Sequence, residues 1–381
     1  MTQAAPVTFS TVRENYFGPP AEMQALRHKA PVTRTAFADG RLGWLVTGYS
    51  AARAVLSDSR FTARGEREHP AVPRAATLED ERCRRLIAGQ FTARRMRQLT
   101  GRTERIVREH LDAMEHMGSP ADLVEHFALP VPSLVIAELL GVPPADREQF
   151  QHDTLRWGGF GRSTEEVTEA FVSLGGQLQR LVRLKRTEPG DDLLSGLIAA
   201  DPALTDEELA SIAFLLLVAG HGTTAHQIAL GAFLLLEHPD QLAALRTEPA
   251  LTESAVEELL RHLSVVHHGP TRAALQDADI EGTPVKAGEV VVVSLGAANR
   301  DPARFERPDA VDVTREDTGH LAFGHGMHQC LGRQLARIEL RVALTALLER
   351  FPHLRLACPA AEIPLRHDMQ VYGADRLPVA W

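Results

Sequence analysis

The residues best able to do chemistry lie around one cysteine, Cys330. Gly324, Gly326 and Gly332 surround it, and a predicted helix begins directly after it. Glycine permits tight turns and a close approach of the backbone to a flat or bulky group. Because the N-terminal amides of the helix lower the pKa of a nearby thiol, the pattern favours a thiolate. A lone thiolate cannot complete a zinc or iron–sulfur site, but it can be the single axial ligand of a haem iron. The alternative interpretation is a buried structural cysteine in a loop.

The segment from Phe323 to Gly332 resembles the haem-binding signature of cytochrome P450 enzymes. Its sequence, Phe-Gly-His-Gly-Met-His-Gln-Cys-Leu-Gly, matches that signature at every fixed position. The resemblance implies that Cys330 is the proximal ligand of the iron, that His328 hydrogen-bonds a haem propionate, and that Phe323 packs near the sulfur. It also implies haem b (iron protoporphyrin IX) as the cofactor and dioxygen as a co-substrate.

A second segment resembles the same family about 70 residues earlier. Glu258-Leu-Leu-Arg261 resembles the Glu-x-x-Arg pair of the family's K helix. Residues three apart share a helix face and can form a charge-assisted pair, so the two are expected to form a structural pair.

A third segment, Ala219 to Thr224, reads Ala-Gly-His-Gly-Thr-Thr. It resembles the oxygen-binding stretch of the long central I helix of the family. The resemblance implies that Gly220 allows a close approach to the haem and to dioxygen, and that Thr223 helps to deliver protons. The alternative is that these small residues serve helix packing or a kink.

This third segment departs from the family pattern at Gly222, where an acid normally precedes the first threonine. Water or a substrate hydroxyl could relay protons there, the space could admit substrate bulk, or the enzyme could carry out an atypical oxidation. Glycine also weakens a helix by about 1 kcal/mol relative to alanine. His221 is adjacent, but one residue along a helix turns the side chain by about 100°, so it need not replace the acid.

Buried haem propionates need cationic partners. By the resemblance, Arg272 matches the family's propionate arginine. Arg84 matches the arginine of a second motif on the C helix, and Asp80 stands where a histidine is expected. Since an aspartate repels a propionate, that contact is missing or the local geometry differs. Arg82 and Arg85 are the alternatives.

The resemblance also suggests which residues line the substrate pocket. It assigns the lining to about 61–77, 157–164, 214–223, 265–269 and 368–372, which is mostly apolar. The alternative for the histidines is a structural role. The candidate substrate contacts are Phe214, Val218, Ala219, Val266, His267, His268 and Gln370.

Helices must position most of these residues. Apolar residues recur at helical spacing from about Leu78 for roughly 190 residues, and Thr205 and Glu208 form a capping box that opens a very apolar helix to about Glu237. The other predicted helices are Ala51–Leu56, Leu99–Met114, Leu123–Leu140 (interrupted at Pro130 and Pro132), Glu165–Arg186, Glu253–Leu263 and Leu331–Arg350.

Short strands complete the prediction, at Leu42–Thr47, within Ala278–Gly288 and at Val290–Leu295. We therefore predict a mainly α fold with a minor β region. It resembles the cytochrome P450 fold, with a long central helix over the haem, and forms a single domain over residues 1–381.

Composition excludes several classes of protein. The 381 residues contain 41 Lys and Arg against 50 Asp and Glu, and a net charge of −9 argues against a nucleic-acid binder. Three scattered cysteines make no disulfide framework and fit a reducing cytosol. The longest apolar stretch, Ile212–Gly220, is well short of the roughly 20 residues of a membrane span. We expect a cytoplasmic protein with no membrane segment.

No flavin- or dinucleotide-binding segment is recognised, so electrons are expected from a ferredoxin and its reductase. An acidic ferredoxin would dock on the cysteine side by electrostatic steering. Ordinary solvated arginines are the alternative interpretation of this patch. The arginines that could form the docking face are Arg333, Arg337 and Arg341, flanked by Arg84, Arg85, Arg94, Arg95 and Arg97.

The function implied by the resemblance is a haem-thiolate monooxygenase that hydroxylates or epoxidises a moderately hydrophobic small molecule. Bacterial secondary metabolism, including antibiotic biosynthesis, is the expected setting. One alternative is an atypical oxidation by the same fold, such as phenol coupling, desaturation or a peroxide-driven reaction. Another is a non-enzymatic haem sensor or carrier, although a carrier would not need Thr223.

Overall fold

A computed structural model describes residues 12–37, 42–63, 81–158, 163–267, 269–316, 319–367 and 369–381. Within them the chain is mostly helical. The helices are α1 (Ala21–Lys29), α2 (Tyr49–Ser57), α3 (Glu81–Ala88), α4 (Ala93–Met117), α5 (Pro130–Leu140), α6 (Arg147–Gly158), α7 (Thr164–Thr187), α8 (Leu193–Ala200), α9 (Asp206–Glu237), α10 (Pro239–Thr247), α11 (Thr252–Leu263), α12 (Leu295–Ala298) and α13 (Arg333–Arg350).

The strands are short. They are β1 (Val32–Ala36), β2 (Leu42–Val46), β3 (Phe61–Thr62), β4 (Ala121–Asp122), β5 (Thr271–Ala274), β6 (Ala278–Ile280), β7 (Thr283–Val285), β8 (Val290–Val293), β9 (Arg355–Leu356) and β10 (Pro378–Ala380). The mainly α fold with a minor β region is therefore confirmed.

The sequence predictions are accurate for the long helices. The Thr205–Glu208 capping box forms: the Glu208 amide donates to Thr205 Oγ1 at 3.2 Å, and the Thr205 amide donates to Glu208 Oε2 at 2.8 Å. It opens α9, which is 32 residues long. The interruption at Pro130 is confirmed, because a short π-helical turn, Val124–Ala128, precedes α5; the one predicted at Pro132 is wrong, because Pro132 lies in the first turn of α5, where a missing N–H costs nothing.

One local prediction is wrong, and the strand that carries Arg272 was missed. The strand predicted to end at Leu295 ends at Val293. The Ser294 side chain accepts a hydrogen bond from the Ala297 amide and so caps α12. The strand β5, which carries Arg272, was not predicted, because Thr-Arg-Ala-Ala has no alternating apolar pattern.

Two compact units make up the chain, and each is described separately. The first comprises residues 1–68, 234–330 and 365–373. It contains a five-stranded sheet of order β1-β2-β8-β5-β3, in which only the β2–β8 pair is parallel. Its core packs α2 and that sheet around Phe305 and Leu321, both almost fully buried.

The second unit comprises residues 69–233, 331–364 and 374–381. In it α4 packs against α13 and α5, and α6 packs against α7. Most of α9 belongs to this unit, and its side chains are buried over much of its length. A three-stranded sheet of order β4-β10-β9 closes the unit.

Within the described residues, α9 has the length and hydropathy that a membrane span would require. More than half of its most apolar window is buried inside the protein. Burial of this kind is typical of a core helix, which passes the same test of length and composition.

Candidate functional site

Cys330 lies in a loop whose conformation is fixed by its own backbone. The Cys330 amide donates to the Phe323 carbonyl at 2.9 Å, which closes the loop across the whole motif. A short 3-10 turn, Gly326–His328, lies within it. The cysteine is exposed, so the structure contradicts the interpretation of a buried structural residue.

Two glycines are required by this loop. Gly324 and Gly326 have φ of 69° and 71°, in the left-handed region that other residues rarely adopt. A Cβ on Gly326 would lie 2.5 Å from the Leu56 carbonyl oxygen at the end of α2. A Cβ on Gly324 would meet nothing within 4 Å. The loop therefore packs tightly against α2 on one side and leaves open space on the other.

The donor set and the space fit a flat group with one axial ligand. Cys330 is exposed in a hydrogen-bonded loop, and the position of Gly332, directly before α13, also has no atom within 4 Å of an added Cβ. His328 is half-exposed in the same turn. This arrangement matches the chemistry that the sequence assigns to a single thiolate ligand.

The predicted pair on α11 forms a completely buried network. Arg261 donates to both oxygens of Glu258, at 2.7 and 2.8 Å, and both side chains are 0% exposed. The remaining donors of Arg261 reach the carbonyls of Asn299, Pro308 and Ala310. The pair therefore ties α11 to the irregular segment that precedes the cysteine loop.

Glu258 accepts hydrogen bonds from two further groups beyond its helix partner. The Arg315 Nε donates to it at 3.0 Å, and so does the Asp312 amide, also at 3.0 Å. A buried carboxylate is tolerated only when its oxygens are fully hydrogen-bonded in this way.

Asn299, a residue without a role in the sequence analysis, continues the network to the cysteine loop. It is fully buried, and its Nδ2 donates to Ser264 Oγ at 2.8 Å. Its Oδ1 accepts from the Leu321 amide at 2.6 Å, two residues before Phe323. The sequence showed no signal for this bridge, because an asparagine in an Asp- and Pro-rich stretch is typical of an ordinary turn.

The candidate propionate arginines differ in their surroundings. Arg272 is buried in β5, where its Nη1 donates to the Thr271 carbonyl. On α3, Arg84 is half-buried and Arg85 is exposed. Arg82 forms an ion pair with Asp201, so the structure makes it a poor alternative. Asp80 lies outside the described residues.

The predicted oxygen-binding stretch overlaps an exposed stripe on helix α9. Val218 and Ala219 are exposed and Gly222 and Thr223 are half-exposed, whereas the helix on either side is mostly buried. Residues four apart lie on one face of a helix, so these four form one surface. The Thr223 hydroxyl donates to the Ala219 carbonyl at 2.7 Å.

The two glycines of this stretch have different surroundings. A Cβ on Gly220 would lie 2.7 Å from Cδ1 of Ile136 on α5, so a larger residue there would force Ile136 or one of the two helices to shift. A Cβ on Gly222 would meet nothing within 4 Å. The helix-packing alternative thus applies to Gly220, while space remains open beside Gly222.

His221 does not replace the missing acid. Its side chain is 1% exposed, and its Nε2 lies 3.1 Å from the Leu129 carbonyl oxygen at the end of the π-helical turn. Burial lowers the pKa of His221 to about 4, so the ring is neutral at physiological pH. A neutral ring donating to a backbone carbonyl is a structural contact, as the helical rotation of the side chain predicted.

The candidate substrate contacts are not all exposed. Phe214 is buried against the rings of Trp157 and Phe171, with centroids 5.5 and 5.1 Å away. His267 is 6% exposed and accepts a hydrogen bond from Arg13, which favours the structural interpretation. Gln370 is exposed, and Val266 is half-exposed. His268 and parts of the suggested lining near residues 64–77, 159–162 and 368 lie outside the described residues.

Arg94 and Arg95, two of the suggested docking cations, have defined partners within the protein. Arg94 pairs with Asp191 at 2.5 Å, and Arg95 donates to Gln90 and to the Asp192 carbonyl. Arg97 is exposed, and Arg333, Arg337 and Arg341 on α13 are half-exposed.

Comparison with known proteins identifies the family of the chain. Residues 176–357 match the family model described as cytochrome P450. The chain is 99% identical over 381 residues to cytochrome P450 105C1 from a Streptomyces species, with all of both chains covered. It is 45% identical to pentalenic acid synthase from Streptomyces avermitilis, covering 99% of this chain and 98% of that protein.

A solved structure supports the same assignment. The 4-phenylimidazole complex of CYP105P1 superposes with a TM-score of 0.93 at 44% identity, covering 98% of this chain and all of that chain. The chain belongs to the cytochrome P450 family and is a monooxygenase of that family. Membership implies a haem cofactor and the use of dioxygen.

Proposed function

We propose that this protein is a haem b monooxygenase that hydroxylates or epoxidises a moderately hydrophobic small molecule in Streptomyces secondary metabolism. The observation that carries the proposal is the exposed stripe of α9, from Val218 to Thr223, which interrupts an otherwise buried helix where the family binds dioxygen. When bound, haem with a cysteine ligand supplies reductive activation of dioxygen.

The cofactor would be held by Cys330 through its sulfur and by Arg272, Arg84 and His328 through the propionates. A rigid loop with an exposed thiol, closed by the Cys330 amide on Phe323, supports the first contact. Burial of Arg272 and half-burial of Arg84 support the others, because desolvated cations bind carboxylates most strongly.

Thr223 handles protons at its Oγ1 atom. Its hydroxyl donates a hydrogen bond to the Ala219 carbonyl at 2.7 Å. The lone pairs of Oγ1 can therefore accept a hydrogen bond from a donor on the open side of the helix. Thr223 therefore acts by accepting a hydrogen bond from a protonated ligand or a water molecule and so orienting it.

Gly222 leaves room for the group that relays protons. An added Cβ there meets nothing within 4 Å, so a water molecule or a substrate hydroxyl can lie beside Thr223. In this proposal proton delivery is assisted by water or substrate, in place of the acid found elsewhere in the family. Polar neighbours such as the Thr223 hydroxyl hold such a water in place.

The substrate class follows from the apolar character of the suggested lining, which includes Val218, Ala219 and Val266. A relative at 45% identity is named for the synthesis of an organic acid, which supports a small-molecule product. The electron donor in the proposal is a ferredoxin with its reductase, docking near the half-exposed arginines of α13.

The first experiment tests the thiolate and the substrate site. The reduced protein is treated with carbon monoxide, and the difference spectrum characteristic of cysteine ligation is expected in wild type and lost in Cys330→His. Candidate substrates are then titrated while the spin-state shift of the Soret band is followed. A wild-type spectrum without thiolate character would refute the proposal.

The second experiment tests Thr223 and Gly222 together. The ratio of product formed to NADH consumed is expected to fall in Thr223→Ala and to stay near wild type in Thr224→Ala, whose side chain is buried. If water fills the space, Gly222→Glu restores the acid and retains coupling, while Gly222→Ala separates the effect of the carboxylate from that of bulk. Unchanged coupling in Thr223→Ala would remove Thr223 from the mechanism.

A further inference from the structure

Two segments of the first unit form a short ladder. Residues Val265–His267 run antiparallel to Gln370–Tyr372, with Val266 opposite Val371. Two backbone hydrogen bonds of 2.8 and 2.9 Å flank that pair. Both segments belong to the suggested substrate lining, so the position of this Val266–Val371 ladder matters for the pocket.

The two faces of the ladder differ. Side chains alternate along paired strands, so His267 and Tyr372 lie on one face and Val266 and Val371 on the other. His267 and Tyr372 are buried, and their rings stack at 5.6 Å with an interplanar angle of 29°. Val266 and Val371 are half-exposed. Both valines are thus accessible to a ligand, whereas on the opposite face His267 and Tyr372 are buried and Gln370, which lies opposite His267, is exposed.

Arg13 holds the buried face. Its Nε donates to His267 Nδ1 at 3.3 Å, and its guanidinium carbon lies 3.9 Å from the centroid of the Tyr372 ring. Its backbone amide donates to His367 Nδ1, also at 3.3 Å. One residue from the N-terminal part of the chain therefore contacts both segments of the ladder.

The same guanidinium also binds the end of α11. Nη1 donates to the Leu263 carbonyl at 3.2 Å and Nη2 to the Ser264 carbonyl at 3.3 Å. Ser264 has a φ of 42°, so the chain turns sharply there before entering the ladder. A cation at a helix C-terminus stabilises the last carbonyls.

Only an arginine can make this set of contacts. Its planar group offers donors in several directions and stacks on an aromatic ring, whereas a lysine offers one compact charge. Arg13 is 5% exposed, and burial lowers its pKa to about 10, which still leaves it cationic at neutral pH.

We propose that Arg13 is a positioning residue for substrate recognition, which orients the Val266–Val371 ladder so that its valine face meets an apolar part of the substrate. This inference rests on the proposed function and identifies a residue that sets which substrates fit the pocket. It also explains why His267, a candidate substrate contact, is buried: the ring supports the ladder from behind.

The experiment uses the holoenzyme of wild type and Arg13→Lys. The probes are imidazole, which needs little space beyond the iron, and 4-phenylimidazole, whose ring extends into the pocket. Affinities are measured by difference spectroscopy. We expect Arg13→Lys to lower the affinity for 4-phenylimidazole by about fivefold or more and the affinity for imidazole by less than about twofold. The reason is that a less ordered ladder makes poorer contacts with the extended ligand.

Arg27→Lys is the matched control. Arg27 is also a buried arginine of the first unit, but it donates to the Ala297 carbonyl and does not contact the ladder. In Arg27→Lys, the ratio of the affinities for 4-phenylimidazole and imidazole is expected to equal that of wild type. Hydrogen exchange provides a second readout: amides of residues 265–267 and 370–372 should exchange faster in Arg13→Lys, without a general increase elsewhere.

The outcomes separate this inference from the proposed function. An absent thiolate spectrum in wild type contradicts the proposed function, whereas a normal spectrum with an unchanged affinity ratio in Arg13→Lys overturns the role of Arg13. If Arg13→Lys does not fold, Tyr372→Leu removes the ring under the guanidinium and is expected to change the ratio in the same direction. An unchanged ratio in Tyr372→Leu would overturn the proposal equally.

Discussion

The network around Glu258 and Arg261 and the exposed stripe of α9 are built on opposite principles. In the first, each oxygen of Glu258 and each donor nitrogen of Arg261 is bonded within the protein, and both side chains are 0% exposed. In the second, Gly222 borders open space, and the only contact described for the Thr223 hydroxyl is with the Ala219 carbonyl of the same helix.

The difference separates a network that positions other elements from a surface that is open to a ligand. A fully satisfied network fixes the position of α11 and, through Asn299, of the loop that carries Cys330. The stripe is completed by whatever binds there, because its polar capacity is not used up by protein groups. In the proposed function, the fully bonded network holds the cysteine loop, and the open stripe receives the substrate and dioxygen.

The largest effect is expected from breaking the network. Glu258→Ala leaves the buried guanidiniums of Arg261 and Arg315 without their carboxylate, which should cost about 3–5 kcal/mol of unfolding free energy. Denaturant unfolding measures the cost, and haem retention during purification gives a second readout. Lys286→Ala is the control: it removes an exposed ion pair with Asp277, and little change is expected.

A loss for Glu258→Ala as small as that for Lys286→Ala would contradict the view that the network fixes the scaffold. Glu258→Gln refines the result, because it keeps the shape and loses the charge. It should fall between the wild type and the alanine variant.

The next largest effect concerns His221, which lies on α9 beside the stripe and contacts the Leu129 carbonyl. Its pKa is lowered by burial from 6.5 to about 4, so the unfolded chain binds the proton more readily between those values. Stability is therefore fully present above pH 6.5 and is lost as the pH falls towards 4, by about 3 kcal/mol in total.

The test compares unfolding free energies at pH 7 and pH 5. His221→Gln keeps an N–H donor for the Leu129 carbonyl and should lose much of the pH dependence. The exposed His116 provides the control substitution, His116→Gln, because it contacts water in the folded and the unfolded chain. A His221→Gln variant with the wild-type pH dependence would show that other groups account for it.

Sequence patterns identified the elements of the scaffold well. The Glu-x-x-Arg spacing places both residues on one helix face, and the capping box fixes the start of α9. Both are local signals, because the partners lie within four residues of each other. The glycines beside Cys330 are also local, since their positive φ depends on the loop itself.

Long-range contacts could not be predicted in the same way. The bonds from Arg13 to His267 and from Asn299 to Leu321 join residues 254 and 22 positions apart. Neither residue type is unusual in its local pattern. The role of Gly220 was also hidden, because only the structure brings Ile136 against it.

The smallest effect, and the sharpest comparison, comes from two glycines of the stripe. Gly220→Ala and Gly222→Ala gain the same helix propensity, about 1 kcal/mol each, because both lie within α9. At Gly220 the new methyl group meets Ile136 Cδ1 at 2.7 Å, whereas at Gly222 it meets nothing within 4 Å.

The difference in unfolding free energy between the two variants therefore isolates the Ile136 contact. We expect Gly222→Ala to be the more stable by about 1–3 kcal/mol, the usual cost of overpacking a buried site. Ile136→Val removes Cδ1. Combined with Gly220→Ala, it should restore most of the lost unfolding free energy. Combined with Gly222→Ala, it should only destabilise the protein, by the ordinary cost of the cavity that it creates. Equal stabilities for the two alanine variants would mean that α5 yields to the new methyl group, and the requirement for glycine at position 220 would then lie on the open side of α9.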